Sequence, residues 1–464
     1  YHPSNAIFIT FGNIPAVDHQ QRFQEQALYR FEKLDKHIAV TEEQRYAEPQ
    51  YFEESYAFDS QQNDLGAEDK THIVIAWLLG NSTNLEDSMS ARLLASVLLD
   101  NSGSPLQKAL ETTDLGSSPS PMCGLEDSQL ELCFACGIEG ANPEQADAVE
   151  AMVLQVLNDV AEQGLPYEQV EASLHQLELS QREISGGSYP YGLNLILTAL
   201  TSATHRGDPV SLLDLDPVLE KLKQQIQDPD YIKSLARKLL LNNNHRIRLV
   251  LKPDTELAQA KDAAEKKRLA DIKDALTEEQ KQAIIASAEA LKQRQEMEED
   301  LNILPKVDSS DIPEESSFTE PTSREFKSIP ITSYTAGTNG IAYQQMIMPL
   351  PELSAAQMDL LPLYSTCVTE MGVGDRDYQQ TQLWHSSIVG SYSAGTAVRT
   401  HSEDLNQLHG NLTFACKGLA SNQQAMSELM EESFTQVRFD ELSRLEELVA
   451  QILTHRESSV VSNG

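Results

Sequence analysis

Two stretches far apart in the chain carry nearly the same residues: Leu132-Cys133-Phe134-Ala135-Cys136 and, 280 positions later, Leu412-Thr413-Phe414-Ala415-Cys416. Each reads as a strand, and each is followed by two long runs of helical spacing, 143–163 and 167–184 in the first case, 422–437 and 439–458 in the second. A period this long is not that of a solenoid. It predicts a tandem duplication of one folding unit, and 464 residues leave room for it, since a domain takes about 100–200.

The elements around the first copy give the class of that unit. Strands are predicted at 6–11, 51–58, 71–79 and 129–137, with 120–123 as an edge partner because Pro121 cannot donate to a central ladder. A polar helix is predicted over 20–34. Thr83 with Glu86 forms a capping box for a helix over 84–99, where Leu85, Met89, Leu93, Leu94, Val97 and Leu98 share one side. A short helix follows at 104–113, helices dominate 192–240, and 246–251 closes as a strand. Adjacent hairpin strands faced by helices imply an α+β fold with a mainly antiparallel sheet.

Between the copies the composition changes. Residues 254–300 are Ala, Glu, Lys and Gln without Gly or Pro, which predicts two solvated helices folded back as a hairpin, the second capped by Thr277 with Gln280. Pro305, Pro313 and Pro321 among acidic residues and Ser make 301–323 an extended linker. The second copy then offers strands at 341–348, 386–397 and 407–416 and helices at 353–370 and 378–384. The resulting division is 1–15 as the end of a preceding domain, 16–252 as one whole domain, 253–300 as a helical connector, 301–326 as linker and 327–464 as part of a further domain. The start at Tyr1, with a strand at 6–11 that has nothing before it to pair with, suggests a piece of a longer chain.

Asp and Glu outnumber Lys and Arg by 71 to 35, for a net charge of −36, so a phosphate-binding surface and a nucleic-acid partner are excluded. The charge reads either as an acidic chamber that attracts basic peptides or as an ordinary solubility charge. No run reaches the roughly 18 apolar residues of a membrane helix, and a soluble chain with no membrane partner is expected. Five cysteines, an odd number, do not suggest a disulfide framework and favour a reducing compartment. Cys133 and Cys136 form a C-x-x-C, but three positions along a strand put them on opposite faces, so core thiols are expected.

No spacing in the chain names a catalytic or metal-binding residue. None of the 11 His residues begins His-x-x-Glu-His or His-Glu-x-x-His. His401 and His409 with Glu403 and Asp404 come nearest to a ligand cluster, and they read as a polar loop between strands. Gly372-Val373-Gly374 follows a helix and lacks the Lys-Ser or Lys-Thr of a phosphate loop, so it reads as a helix end and turn. Ser185-Gly186-Gly187-Ser188-Tyr189-Pro190-Tyr191-Gly192 sets two aromatic residues in a small-residue break, which either borders a peptide cleft or makes a tight helix connection.

Several strings nevertheless carry a resemblance. Tyr1-His2-Pro3-Ser4-Asn5-Ala6, Ser104-Pro105-Leu106 with Leu115-Gly116, Val170-Glu171-Ala172-Ser173, Arg182-Glu183, Gly187-Ser188-Tyr189-Pro190 with Gly192-Leu193, Ser310-Asp311-Ile312-Pro313 and Glu370-Met371-Gly372 stand in the order found in presequence proteases. The chain thus resembles that organellar and bacterial branch of the insulinase (pitrilysin-type) zinc metallopeptidases over nearly all its length. The resemblance implies four homologous α+β domains in two bowl-shaped halves, joined by a helical hairpin and closing on an unfolded peptide. It also implies zinc on an inverted motif in the first domain, upstream of these residues, so that no catalytic, metal-binding or substrate-binding position is carried onto this chain.

By resemblance, then, this chain holds the second, non-catalytic domain, the connector and part of the third domain, with no cofactor of its own. Its expected partners are unfolded, basic peptides and the remaining catalytic and C-terminal domains. A bacterial cytoplasm or an organelle matrix is the expected location. The rival is a metal-free scaffold or peptide-binding protein of the same fold.

Overall fold

A computed structural model describes residues 2–35, 39–58, 70–101, 103–184, 189–298, 306, 308–312, 315, 318–401 and 403–461. The chain separates into two compact units, one made of 1–54, 68–252 and 338–464, the other of 55–67 and 253–337.

The first repeat lies in the larger unit. Its elements run α1 (Ala16–Gln26), β1 (Gln50–Ala57), β2 (Thr71–Asn81), α2 (Leu85–Leu99), α3 (Pro105–Thr112), β3 (Ser118–Pro119), β4 (Gly124–Glu126), β5 (Glu131–Ala141), α4 (Ala146–Gln163), α5 (Tyr167–Arg182), α6 (Tyr191–Thr204), α7 (Asp216–Gln225), α8 (Tyr231–Ala236) and β6 (Arg246–Asp254). The sheet is ordered β1-β6-β2-β5-β3, with β4 also on β5. Period-2 alternation sends Ile73, Ile75, Trp77 and Leu79 of β2 and Leu132, Phe134, Cys136 and Ile138 of β5 to one face. There they meet Met89, Leu93, Val97 and Leu98 of α2 and Val149, Val153 and Leu157 of α4 in one continuous core. Each such side chain contributes about 1.5–3 kcal/mol on burial. Arg246 and Arg248 of β6 also face the helices, where both bond the buried Glu150 of α4 at 3.0 Å.

The smaller unit holds α9 (Leu257–Ala275), α10 (Glu278–Glu296), β7 (Pro321–Phe326) and β8 (Ile329–Tyr334). Thr277 caps α10 through the expected reciprocal pair, its N–H donating to Gln280 Oε1 at 2.9 Å and its Oγ1 accepting from the Gln280 N–H at 3.2 Å. Neither helix buries a residue, and Leu269, Ile272, Ile284, Ile285 and Leu291 each keep about half their surface in water.

The second repeat runs β9 (Ile341–Pro349), α11 (Ala355–Cys367), β10 (Gly372–Val373), α12 (Tyr378–Ile388), β11 (Ser391–Thr400), β12 (Leu408–Leu419), α13 (Gln423–Thr435), β13 (Val437–Arg438) and α14 (Leu442–Val461). Its sheet is β11-β12-β9, antiparallel throughout. β12 therefore occupies the place of β5, flanked on either side and followed by two helices. The matching residues also match in environment: Phe134 and Phe414 are buried at 2% and 0% exposure, Cys136 and Cys416 at 0% and 4%. The fold is α+β, in tandem copies.

Several local expectations are corrected. Residues 6–11 form no strand; among the described residues none pairs with them in a ladder, and Phe8 and Phe11 are exposed. The polar helix starts earlier, at Ala16, and gives way after Gln26 to one 3-10 turn. Asn84, not Thr83, caps α2, because its Oδ1 accepts from both Glu86 and Asp87, while Thr83 turns back to Asn81. The edge partners of β5 are β3 and β4, which flank 120–123, and that segment is the turn between them. The run 386–397 begins as the end of α12, and strand pairing starts only at Ser391. The expected linker falls largely outside the described residues, but its end is a hairpin, β7–β8, closed by Lys327 and Ser328 at φ 49° and 66°. That turn lacks the Asn-Gly signature from which such hairpins are read.

Candidate functional site

The residues singled out by sequence do not converge. Cys136 lies in the core and Cys133 on the opposite, half-buried face of β5, as strand geometry requires. Burial pushes both thiols above their ordinary range, and it pushes Cys416 up to about 11, so all three remain protonated at neutral pH. His401 and His409 face each other across the β11–β12 turn with ring centroids 5.3 Å apart. His401 Nδ1 accepts from the Glu403 N–H at 3.2 Å, and Asp404 Oδ1 accepts from Asn406, so both side groups serve the turn itself. Among the described residues no three His, Cys, Asp or Glu side chains are placed to share a cation.

Gly372-Val373-Gly374 forms β10 and its turn, not simply a helix end. Gly372 N–H donates to Glu441 Oε2 at 2.7 Å, and Gly374 takes φ 62°. Of 185–192, the first four residues lie outside the described set. Tyr189 is exposed, Tyr191 opens α6 with its ring edge-on to Phe11 at 6.3 Å, and a Cβ at Gly192 would strike the Phe11 ring. This break is therefore where the N-terminal segment lies against α6.

A surface that sequence reasoning passed over is the second face of the β9–β12–β11 sheet. One face packs Met346, Met348, Tyr392, Ala394, Leu412 and Phe414 into the core. The other presents Ser391, Ser393, Gly395 and Ala397 on β11, opposite Lys417, Ala415, Thr413 and Asn411 on β12, with Tyr343, Gln345 and Ile347 beyond them on β9. The β11 and β9 residues of this face are exposed, and a Cβ at Gly395 would meet nothing within 4 Å. Small side chains leave a shallow bed along β11, bordered by the larger Lys417, Tyr343 and Ile347 of the neighbouring strands. Its signal was present: small residues recur at every second position from 391 to 397. In the first repeat the corresponding face carries His72, Ala76 and Leu78 on β2 and Ala135 and Glu139 on β5, all half-buried.

Comparison with known proteins yields matches to two families. One is "Peptidase M16 inactive domain", over residues 1–177; the other, over 251–464, is the domain associated with subfamily C of the same peptidases. The chain is 28% identical over its whole length to the mitochondrial presequence protease of Xenopus laevis, covering 44% of that protein. It is 27% identical, again over its whole length, to the chloroplastic/mitochondrial presequence protease 1 of Arabidopsis thaliana, covering 43%. It thus spans a little under half the length of these relatives. Among solved structures, the periplasmic protease PqqL of Escherichia coli aligns over 95% of this chain and 46% of its own, at 14% identity and a TM-score of 0.34, too loose a likeness to argue from. No helix among the described residues is long and apolar enough to cross a membrane.

Proposed function

The chain belongs to the M16, insulinase-type peptidases, on the side of the presequence proteases, and from that premise we propose that it is a non-catalytic wall and joint of a zinc endopeptidase that takes short unfolded peptides. The observation that carries the proposal is the pair of tandem α+β repeats, of which the second turns a bed of small side chains to solvent. An extended peptide laid on such a bed packs its side chains against the face along β11, and backbone hydrogen bonds would come only from a strand added at a sheet edge. The two exposed helices α9 and α10, within a connector spanning 253–300, form the joint in this reading, and 327–464 belongs to a further domain of the same kind.

Zinc belongs, in this reading, to another portion of the parent protein. Among the described residues the nearest imidazoles, His401 and His409, have no third His, Cys, Asp or Glu placed to share a cation with them, and the Asp404 carboxylate is held by the Asn406 N–H. No step of hydrolysis is assigned to this chain. Its net charge of −36 supports basic peptides as the occupants, since a negative wall concentrates them by long-range attraction. An organelle matrix or a bacterial cytoplasm is the setting that goes with this substrate.

The test is fluorescence anisotropy of a labelled basic amphipathic peptide against the purified chain. Binding should weaken as salt rises from 50 to about 500 mM, because screening shortens the reach of the field. Replacing Gly395 by Trp should reduce binding without unfolding the sheet. Equal binding of an acidic peptide, or indifference to Gly395→Trp, refutes the proposal. Metal analysis provides a second check: zinc at 1:1 with chelator-sensitive cleavage by this chain alone would overturn the non-catalytic assignment.

A further inference from the structure

A cavity of about 230 Å³ lies within the first repeat, between α2 on one side and α6 on the other. Helix α6 is held at both of its ends. At its start the Phe11 ring leaves no room for a side chain at Gly192, and at its far end His205 Nε2 stands 3.3 Å from Ser128 O. Just beyond, the Gly207 N–H donates to Ser202 O at 2.8 Å, and a Cβ at Gly207 would stand 3.1 Å from Thr83 Cβ, so the chain leaving α6 is drawn down against the approach to α2.

The walls of the cavity divide by chemistry. Leu85 and Met89 of α2, Leu197 of α6 and Leu212 and Leu215 of the turn before α7 form an apolar part. Leu197 is half exposed, so this part is reached from solvent. The polar part holds Arg92 of α2, Asp127 of the β4–β5 loop and Gln181 of α5. The Arg92 guanidinium pairs with the Asp127 carboxylate, and the two side chains keep 37% and 33% of their surface exposed. Among the described residues no second acceptor meets Arg92, and no partner meets the Gln181 amide.

Size and charge together narrow the occupant. An engineered apolar cavity of about 150 Å³ takes up benzene, so this larger one accommodates a branched or aromatic side chain with its α-carbon. It is smaller than the roughly 300–1,000 Å³ of sites for drug-sized ligands, so a longer peptide does not fit inside. A part-exposed ion pair contributes little by itself, and opening it to admit a zwitterion exchanges one weak pair for two. A guanidinium grips a carboxylate through two parallel N–H groups, and a carboxylate accepts from an ammonium. An α-amino acid carries both charges on one carbon, which suits two opposite side chains standing next to each other.

We propose that the α2–α6 cavity binds a free α-amino acid with an apolar side chain, its carboxylate on Arg92, its ammonium on Asp127 and its side chain among Leu85, Met89 and Leu212. Gln181 supplies a further hydrogen bond to the same polar end. The site needs neither the bed on β11 nor the joint, so its test stands or falls apart from the function proposed above.

The test is a saturation-transfer NMR titration of L-leucine with the purified chain, which should give a Kd on the order of 0.1–1 mM, as suits a ligand of about nine non-hydrogen atoms. Leucinamide lacks the carboxylate and N-acetyl-leucine lacks the ammonium, so each should bind about tenfold more weakly or worse. These two compounds also stand for the ends of a peptide, which offer only one of the two charges. Arg92→Gln and Asp127→Asn should each weaken leucine by about tenfold or more.

Thr201→Phe fills the space from α6 and should abolish binding while the melting temperature holds or rises, so it decides the matter even where a charge variant fails to fold. No saturation transfer to leucine at about 10 mM, well above the expected Kd, would overturn the proposal. So would equal binding of the three leucine compounds, or binding that ignores Thr201→Phe.

Discussion

Acidification from pH 7 to pH 4 should destabilise the second repeat through one side chain, His385. Its imidazole sits between α12 and α13, with Nε2 3.2 Å from the hydroxyl of the fully buried Ser433 and its ring edge-on to Tyr392. Burial first, and then the Arg376 guanidinium, pull its pKa from 6.5 down to about 4. The native imidazole is therefore neutral, and the sign of the effect follows. As pH falls below about 6.5 the unfolded histidine takes a proton that the folded one refuses, so stability fully present above that pH is lost progressively down to about 4. A gap of 2.5 units corresponds to about 3 kcal/mol, a large share of the 5–15 kcal/mol typical of a domain.

The two tryptophans make this measurable, since Trp77 reports on the first core and Trp384, next to His385, on the second. In a Trp77→Phe background, urea titrations followed by Trp384 fluorescence should show the wild-type chain losing about 3 kcal/mol more between pH 7 and 4 than His385→Gln, which has nothing to titrate. Carboxylates common to both cancel in the comparison. Parallel pH dependences for the two proteins would refute the reasoning.

Other expectations are quickly stated. Phe414→Ala should cost about 3–5 kcal/mol and Phe134→Ala a similar amount, each read as the loss of the Trp signal of its own repeat, because both rings fill the same position in duplicated cores. Asn84→Ala should lower thermal stability by about 1 kcal/mol, and Thr83→Ala by distinctly less, since only Asn84 caps α2. Ser328→Gly should raise the stability of the β7–β8 hairpin, measurable by amide exchange, because glycine accepts φ 66° without strain.

The sequence was most legible where period and burial agree. β2, α2, β5, α4, β9 and β12 lie where alternation or helical spacing put them, and the internal match at 132 and 412 located the two central strands. Local chemistry that competes with a neighbour was harder: Thr83 and Asn84 are both good caps, and only the path of the turn through Asn81 decides between them. The segment at 6–11 has strand composition but no ladder, and pairing is not a property of one segment alone. The contact between the repeats was invisible for the same reason, because Gln176, Glu183 and Lys417 look like ordinary surface residues until α5 meets the end of α12 and β12. The bed of small residues on β11 could have been read, had its second face been considered.

Between Leu257 and Glu296 no residue is buried, and all but Leu257, Leu276 and Lys281 are exposed. Helices of 19 residues, about 28 Å each, are thus maintained by alanine-rich propensity, by Asp254 and Thr277 at their N-terminal ends and by ion pairs along their own surfaces, with almost nothing from tertiary packing. Their rigidity is consequently a thermally soft quantity, which should fade over a broad temperature range well before the domains melt. A single exchange at Thr277 could tune it while both interiors stay as they are.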